Sequence, residues 1–392
     1  MIFEQDKSQR RTSSGLQVIL LIYLVSSAFA ASGSAPDAWQ DNLTPLPASS
    51  WNQDTAAHLL ERAGFGGTPE QIQALFELGV RDAVEQLVHF DRAVGTSALP
   101  FDHSGVHDPG LEPFPPSRPA TTELAKRTGE ALGIKVKPEG NRRLQPVVNK
   151  FFYWLRASRL ETERVAYWWA NRMLTTESPL QEKMALFWHG HYAISEGKVR
   201  DYRKLLQELE LFHAMGAGNF HELMLAVAKD PAMLAFLDAG VNVKGAPNEN
   251  FAREIMELFT MGVGNYDEQD IREAARAFTG WNYVDLQFVF NEHEHDGARK
   301  VFLSRSGEFD GEDIIAMIME QPATAEYIAG KIYRFFVRTE LSTELQSELG
   351  SVLRAADYEI ASLLETIFLS KDFYSDASVG THIKSPVELA IS

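Results

Sequence analysis

Three stretches of this chain carry residue types that could do chemistry. The first runs from Ser178 to Tyr192, where Glu182 and His189 stand seven residues apart and so share a helical face. His189 and His191 are two apart and would point about 200° away from each other in a regular helix, at ~100° per residue. They can address one cation only if the helix ends near Gly190, since an extended H-x-H puts both rings on one side. The second is Asn248 to Trp281, NENFAREIMELFTMGVGNYDEQDIREAARAFTGW. Its Asn250, Glu254 and Glu257 follow i, i+4, i+7 spacing and line an amide and two carboxylates along one stripe. Arg253 can pair with Glu249 or Glu257, and Arg272, Glu273 and Arg276 can complete a network from the next helix. The third is Asn291 to Asp296, where His293, His295 and Asp296 occupy a loop.

Imidazoles and carboxylates arriving from separate segments suit a divalent metal such as zinc, iron or manganese. On that reading His189, His191, His295 and Asp296 are ligands, and Glu254 or Glu257 is the general base of a hydrolase or oxidoreductase. The opposing reading gives the same residues to helix packing, because buried ions need partners and an amphipathic helix needs a polar face. The tighter signatures are absent. There is no H-E-x-x-H, no pair of E-x-x-H motifs, no G-x-S-x-G and no G-x-x-x-x-G-K-[ST]. Gly262-Val263-Gly264 follows a helix, so it reads as a C-cap and turn.

These residues must be positioned by helices, and the chain marks them with caps. Thr68-Pro69-Glu70-Gln71 is a capping box with proline at the first helical position, and Gly79 closes that helix. Ser178-Pro179-Leu180-Gln181 repeats the pattern, Asp201 precedes a helix ended by Gly216, and Asn219 and Asp230-Pro231 open two more. Helices are expected at 250–261, 268–279, 311–320, 322–337, 342–355 and 358–370. Between them, Val284 to Phe290 alternates, and Lys300 to Leu303 is expected to pair back across EHEHDGAR as a hairpin near 283–303. The fold class expected is mainly α, a large multi-helix domain over 51–392. Eight prolines between Pro100 and Pro146 make 91–146 an irregular insertion, with one short helix near Leu124.

Lys7, Arg10 and Arg11, then the mostly apolar Leu16–Phe29 and the small residues Ala28 and Ala30, follow the order of a signal peptide over 1–30. Residues 31–50 read as a flexible lead-in, and the expected location is the periplasm or outside the cell. The net charge of −17 repels phosphate backbones and argues against a nucleic-acid partner. No later apolar run is long enough to span a bilayer. The chain has no cysteine, so disulfides and thiolate chemistry are excluded.

The phrases HLLERAGFG, LQEKMALFWHGHY, DPAML with LDAG, and NENFAREIMELFTMGVGNY through TGW resemble the bacterial family known as domain of unknown function 1800. The likeness spans about Trp51 to the C-terminus. It implies a helical, exported bacterial protein without an assigned activity, and no site residue comes with it. The final SPVELAIS resembles the lead-in to a further helical segment, so a C-terminal truncation is expected. Two functions stay open: a non-catalytic envelope or secretion-associated binding protein, which is preferred, and the metal-dependent enzyme.

Overall fold

Many helices in this protein begin where a side chain can answer their open N–H groups. The computed structural model describes residues 39–90, 99–104 and 145–392; the segment 1–30 expected as a signal peptide and most of the proline-rich insertion, including the helix expected near Leu124, lie outside them. Asn52 and Thr55 form a capping box at α1 (Gln53–Ala63), as Thr68 and Gln71 do at α2 (Pro69–Leu78). Gly79, at φ 80°, turns the chain into α3 (Val80–Val88). The long α4 (Gln145–Thr175) precedes α5 (Pro179–Tyr192), where Pro179 takes the first position but Ser178 makes no side-chain cap bond. α6 (Glu196–Val199) leads to α7 (Tyr202–Met215), capped by Asp201. Asn219 caps α8 (Phe220–Ala228) and Asp230 caps α9 (Pro231–Phe236). α10 (Glu249–Glu254) continues as a π-helical turn over Ile255–Thr260, and α11 (Glu268–Ala277) starts on an Asp267/Asp270 box. After the strands come α12 (Gly311–Met319), α13 (Pro322–Phe336), α14 (Thr343–Ala355), α15 (Ile360–Leu369) and α16 (Pro386–Ile391). The fold is mainly α, as the sequence leads one to expect.

The strands depart from expectation. No ladder crosses EHEHDGAR. Instead β1 (Trp281–Val284) pairs with β2 (Gln287–Phe290), and β3 (Lys300–Phe302) pairs with β4 (Arg305–Gly307), both antiparallel. Asp285 takes φ 54° in the first turn, and Leu303 and Ser304 take φ 45° and 64° in the second. Such turns usually carry Asn-Gly or Asp-Gly. With neither dipeptide present, the sequence gives no sign of two tight hairpins. Side chains pin them instead: Arg203 on α7 donates to the Asp285 carboxylate at 2.7 Å. On α11, Asp270 and Glu273 accept from the N–H groups of Leu303 and Val301, at 2.8 and 3.1 Å.

The core centres on α5 and α8. Leu180, Met184, Ala185 and Trp188 are fully buried on one, and Phe220, Leu223, Met224 and Val227 on the other. Trp188 stacks on Phe220 at 5.6 Å, and its indole N–H finds the Gly216 carbonyl at 2.7 Å. A buried indole needs that partner. Within the segment expected as a flexible lead-in, residues 42–46 run beside 369–372. Leu46 N–H donates to the Leu369 carbonyl at 2.7 Å, and Lys371 N–H to that of Thr44 at 2.9 Å. Among the described residues, no helix is long and apolar enough to cross a membrane.

Candidate functional site

The stripe carrying Asn250, Glu254 and Glu257 begins on α10, where the Asn248 side chain accepts from Asn250 N–H at 3.1 Å. From Ile255 the helix widens into the π turn, and the Thr260 hydroxyl donates to the Ile255 carbonyl at 2.6 Å. Widening at a helix end leaves carbonyls for other partners. Side chains from α5 and α13 supply them. The Tyr327 hydroxyl and Lys331 ammonium donate to the Leu258 carbonyl at 3.1 and 3.2 Å, and His191 Nε2 reaches the Phe259 carbonyl at 3.1 Å. Lys331 also lies 3.1 Å from His191 Nδ1. An ammonium can only donate, so Nδ1 accepts and Nε2 carries the proton. Burial, then the Lys331 charge, pushes the His191 pKa down to about 3, so the ring is neutral.

The three polar residues of the stripe take separate partners. Asn250 reaches the Leu237 carbonyl at 3.4 Å, and Glu257 accepts from the Tyr266 hydroxyl at 3.1 Å. Glu254 is half-buried and makes no hydrogen bond or ion pair among the described residues. Burial, then neighbouring Glu257, raises its pKa above the ordinary carboxylate value. Neither carboxylate meets Arg272 or Arg276. Arg253 turns outward to hold Glu268 through both terminal nitrogens, at 3.0 and 2.9 Å, and Glu249 at 3.2 Å.

α5 does not end at Gly190; it runs on through Tyr192. His189 and His191 therefore diverge as a regular helix requires. His189 is exposed and meets the edge of Trp169 at 5.4 Å, while His191 is buried with both ring nitrogens engaged. The extended H-x-H chelate expected there is not formed.

His295 and Asp296 are tied to the end of α11. His295 Nδ1 lies 2.9 Å from the Thr279 carbonyl, so that nitrogen carries the proton. Asp296 accepts from Arg276 Nε at 2.7 Å and from Ala298 N–H at 3.0 Å, and its own N–H donates to the Thr279 hydroxyl at 2.7 Å. Arg276 holds the Asp296 carboxyl below its ordinary pKa. The buried Lys300 closes the loop, donating to the Asp296 and Ala298 carbonyls at 2.5 and 3.1 Å. Gly280 sits at φ 83°, where a Cβ would fall 2.5 Å from the Asn291 carbonyl oxygen; the Thr279-Gly280-Trp281 corner needs glycine for both reasons. His189, His191, His295 and Asp296 are not brought together. Among the described residues no group of three or more His, Asp or Glu is placed to hold a metal ion.

Sequence reasoning set Glu182 beside His189 but missed its actual partners and the other buried ion pairs. Glu182 accepts from Arg172 at 2.7 Å, His213 Nε2 at 2.7 Å and the Trp169 indole at 3.0 Å. Lys183 meets Glu388 at 2.6 Å, and Arg338 reaches Asp372 at 2.7 Å and Asp41 at 2.5 Å. The one sequence signal was Glu182-Lys183 inside an otherwise apolar helical run. A concave site lies elsewhere, in a cleft of about 930 Å³ between α2 and the α4–α5 junction. Leu60, Leu75 and Met173 form apolar wall, and Gln71, Thr176 and the Lys384 ammonium supply polar groups. None of the six candidate residues lines it.

One family model, described as protein of unknown function (DUF1800), matches residues 58–392, and the chain belongs to that family. No curated protein matches, and no solved structure matches.

Proposed function

We propose that this DUF1800 protein is an exported, non-catalytic binding protein of the cell envelope or secretion apparatus. Its histidine and carboxylate motifs lock helices, and its cleft receives the ligand. One observation carries the reading: His191, the most buried candidate ligand, spends both ring nitrogens on the π turn and Lys331. A metal ligand needs a free lone pair on one of them. The engagement of Asp296 with Arg276 supports the same reading. Export rests on the basic, apolar and small-residue order of 1–30. A cleft of this size and mixed lining suits an amphiphilic molecule or a short peptide.

Metal content of the untagged protein, measured by mass spectrometry beside a His189→Ala/His295→Ala double variant, tests the reading. Sub-stoichiometric metal is expected in both. A full equivalent that the double variant loses would overturn it in favour of the metal-dependent hydrolase or oxidoreductase. For the cleft, the probe is anilinonaphthalene sulfonate. Ala74 is exposed and lines the cleft, so Ala74→Trp should abolish dye binding without changing the fold.

Glu254 favours a second reading, acid–base catalysis. A half-buried carboxyl with a raised pKa and no hydrogen bond among the described residues suits a general acid. Turnover of a chromogenic ester or glycoside that Glu254→Gln abolishes and Glu257→Gln leaves intact would establish it.

A further inference from the structure

Residues 380–392 are fastened to the rest of the protein by one buried side chain. None of their apolar side chains is buried: Ile383, Val387 and Leu389 are 91%, 42% and 69% exposed, and Glu388 alone reaches the interior. Its carboxylate meets the Lys183 ammonium at 2.6 Å and accepts from Ser385 N–H at 2.9 Å, with His382 Nε2 3.3 Å away. Lys183, on α5, is 1% exposed, and its ammonium lies 4.8 and 5.7 Å from the ring centroids of Phe65 and Phe335. Arg62, also buried, adds a second positive charge that acts on both partners. An ion pair inside a packed interface is reinforced by apolar burial on both sides. This one has such burial on the Lys183 side alone.

The same segment forms part of the cleft. Lys384, Ile391 and Ser392 line it, and so does Phe65, whose ring also faces Lys183. Lys384 pairs with Glu61 of the cleft wall at 2.6 Å, in a partly exposed bridge that contributes little. Withdrawing Glu388 strands a buried ammonium, which is strongly unfavourable. The segment therefore leaves readily only when another anion takes the place of Glu388.

We propose that the Lys183 pocket is a receptor for a partner peptide carrying a carboxylate side chain among apolar residues. Glu388 fills that pocket in cis, and residues 380–392 are a strap that such a peptide displaces as it enters the cleft. The proposal rests on the reading of the cleft as a binding site and names its ligand. Charge complementarity carries it: two buried cations act on one carboxylate, and phenyl rings surround the ammonium. The strap itself shows the chemistry that fits, a glutamate between valine and leucine.

The probe is a fluorescein-labelled peptide SPVELAI, the sequence of residues 385–391. Glu388→Gln loosens the strap, so fluorescence anisotropy should show the peptide binding this variant at least about tenfold more tightly than the wild type. A peptide with glutamine in place of its glutamate should bind at least about tenfold more weakly than the original. Because Glu388→Gln leaves Lys183 without its counter-charge, the wild-type protein supplies an independent reading. Excess unlabelled peptide should speed tryptic cleavage at Lys384, as the displaced strap becomes accessible. The Lys183→Met/Glu388→Gln double variant removes both charges of the pair and should keep the wild-type circular dichroism but bind no peptide. Equal affinity for the two peptides, wild-type cleavage unchanged by peptide, or peptide binding retained by the double variant would each overturn the proposal. If the dye binds the cleft and Ala74→Trp blocks it while the peptide binds neither protein, the strap proposal fails and the cleft reading stands.

Discussion

His191 joins two helices through its two nitrogens, and this makes it a pH-sensitive part of the fold. Its pKa is held at about 3 by burial and Lys331, against about 6.5 in the unfolded chain. A lowered histidine pKa means the unfolded state binds the proton more readily, so its contribution is complete above pH 6.5 and shrinks as pH falls toward 3. The loss should reach about 2 kcal/mol by pH 5. His58 shifts in the same direction, to about 4, chiefly through burial. His191→Gln can still donate to the Phe259 carbonyl and accept from Lys331 but cannot titrate. Urea unfolding at pH 7.5 and pH 5 should therefore give a shallower pH dependence for this variant. An unchanged slope would mean that His191 is not neutral in the folded protein. Nothing in H-x-H spacing announced this role, because the carbonyl that His191 serves lies 68 residues away.

At the scale of elements, caps were legible and pairings were not. Thr68, Asp201, Asn219 and Asp230 cap the helices they precede, because a cap is written within three residues of its helix. The π turn at 255–260 has no such local mark; it persists where His191, Lys331 and Tyr327 satisfy the displaced carbonyls. The two hairpins were misjudged as one because their turns lack glycine and are held by Arg203, Asp270 and Glu273 from other helices. The Thr279-Gly280-Trp281 corner offers a sharper test. Gly280→Ala places a methyl group against the Asn291 carbonyl at positive φ and should cost more than ~2 kcal/mol. Gly264→Ala, also at positive φ but facing open space, should cost only about 1 kcal/mol. Equal losses in thermal unfolding would show that conformation alone, and not the contact with Asn291, fixes Gly280.

Across the whole molecule, the beginning of the described chain is joined to residues near its end by a clamp whose Arg338 and Asp372 are buried. Arg338 binds Asp372 and Asp41, the Tyr333 hydroxyl donates to Asp372 at 2.7 Å, and Asp41 N–H donates to the same carboxylate at 2.7 Å. Removing one partner strands a buried charge, so Arg338→Ala should lose about 3–5 kcal/mol in urea unfolding. It should also speed chymotryptic cleavage at Trp39, Leu43 and Leu46, since Asp41 loses its tie to Arg338. Cleavage at the wild-type rate would mean the backbone bonds to 369–372 suffice. By itself the sequence determined the helical class, most helix starts, the acidic charge and the family, all of which rest on local spacing and composition. Only the tertiary structure decided that the histidines separate, that Glu254 has no hydrogen-bond partner among the described residues while Glu257 takes Tyr266, and that Asp41 meets Arg338. Those outcomes depend on which faces pack together, and side chains 68 to 297 residues apart carry no spacing rule that a chain read in order could reveal.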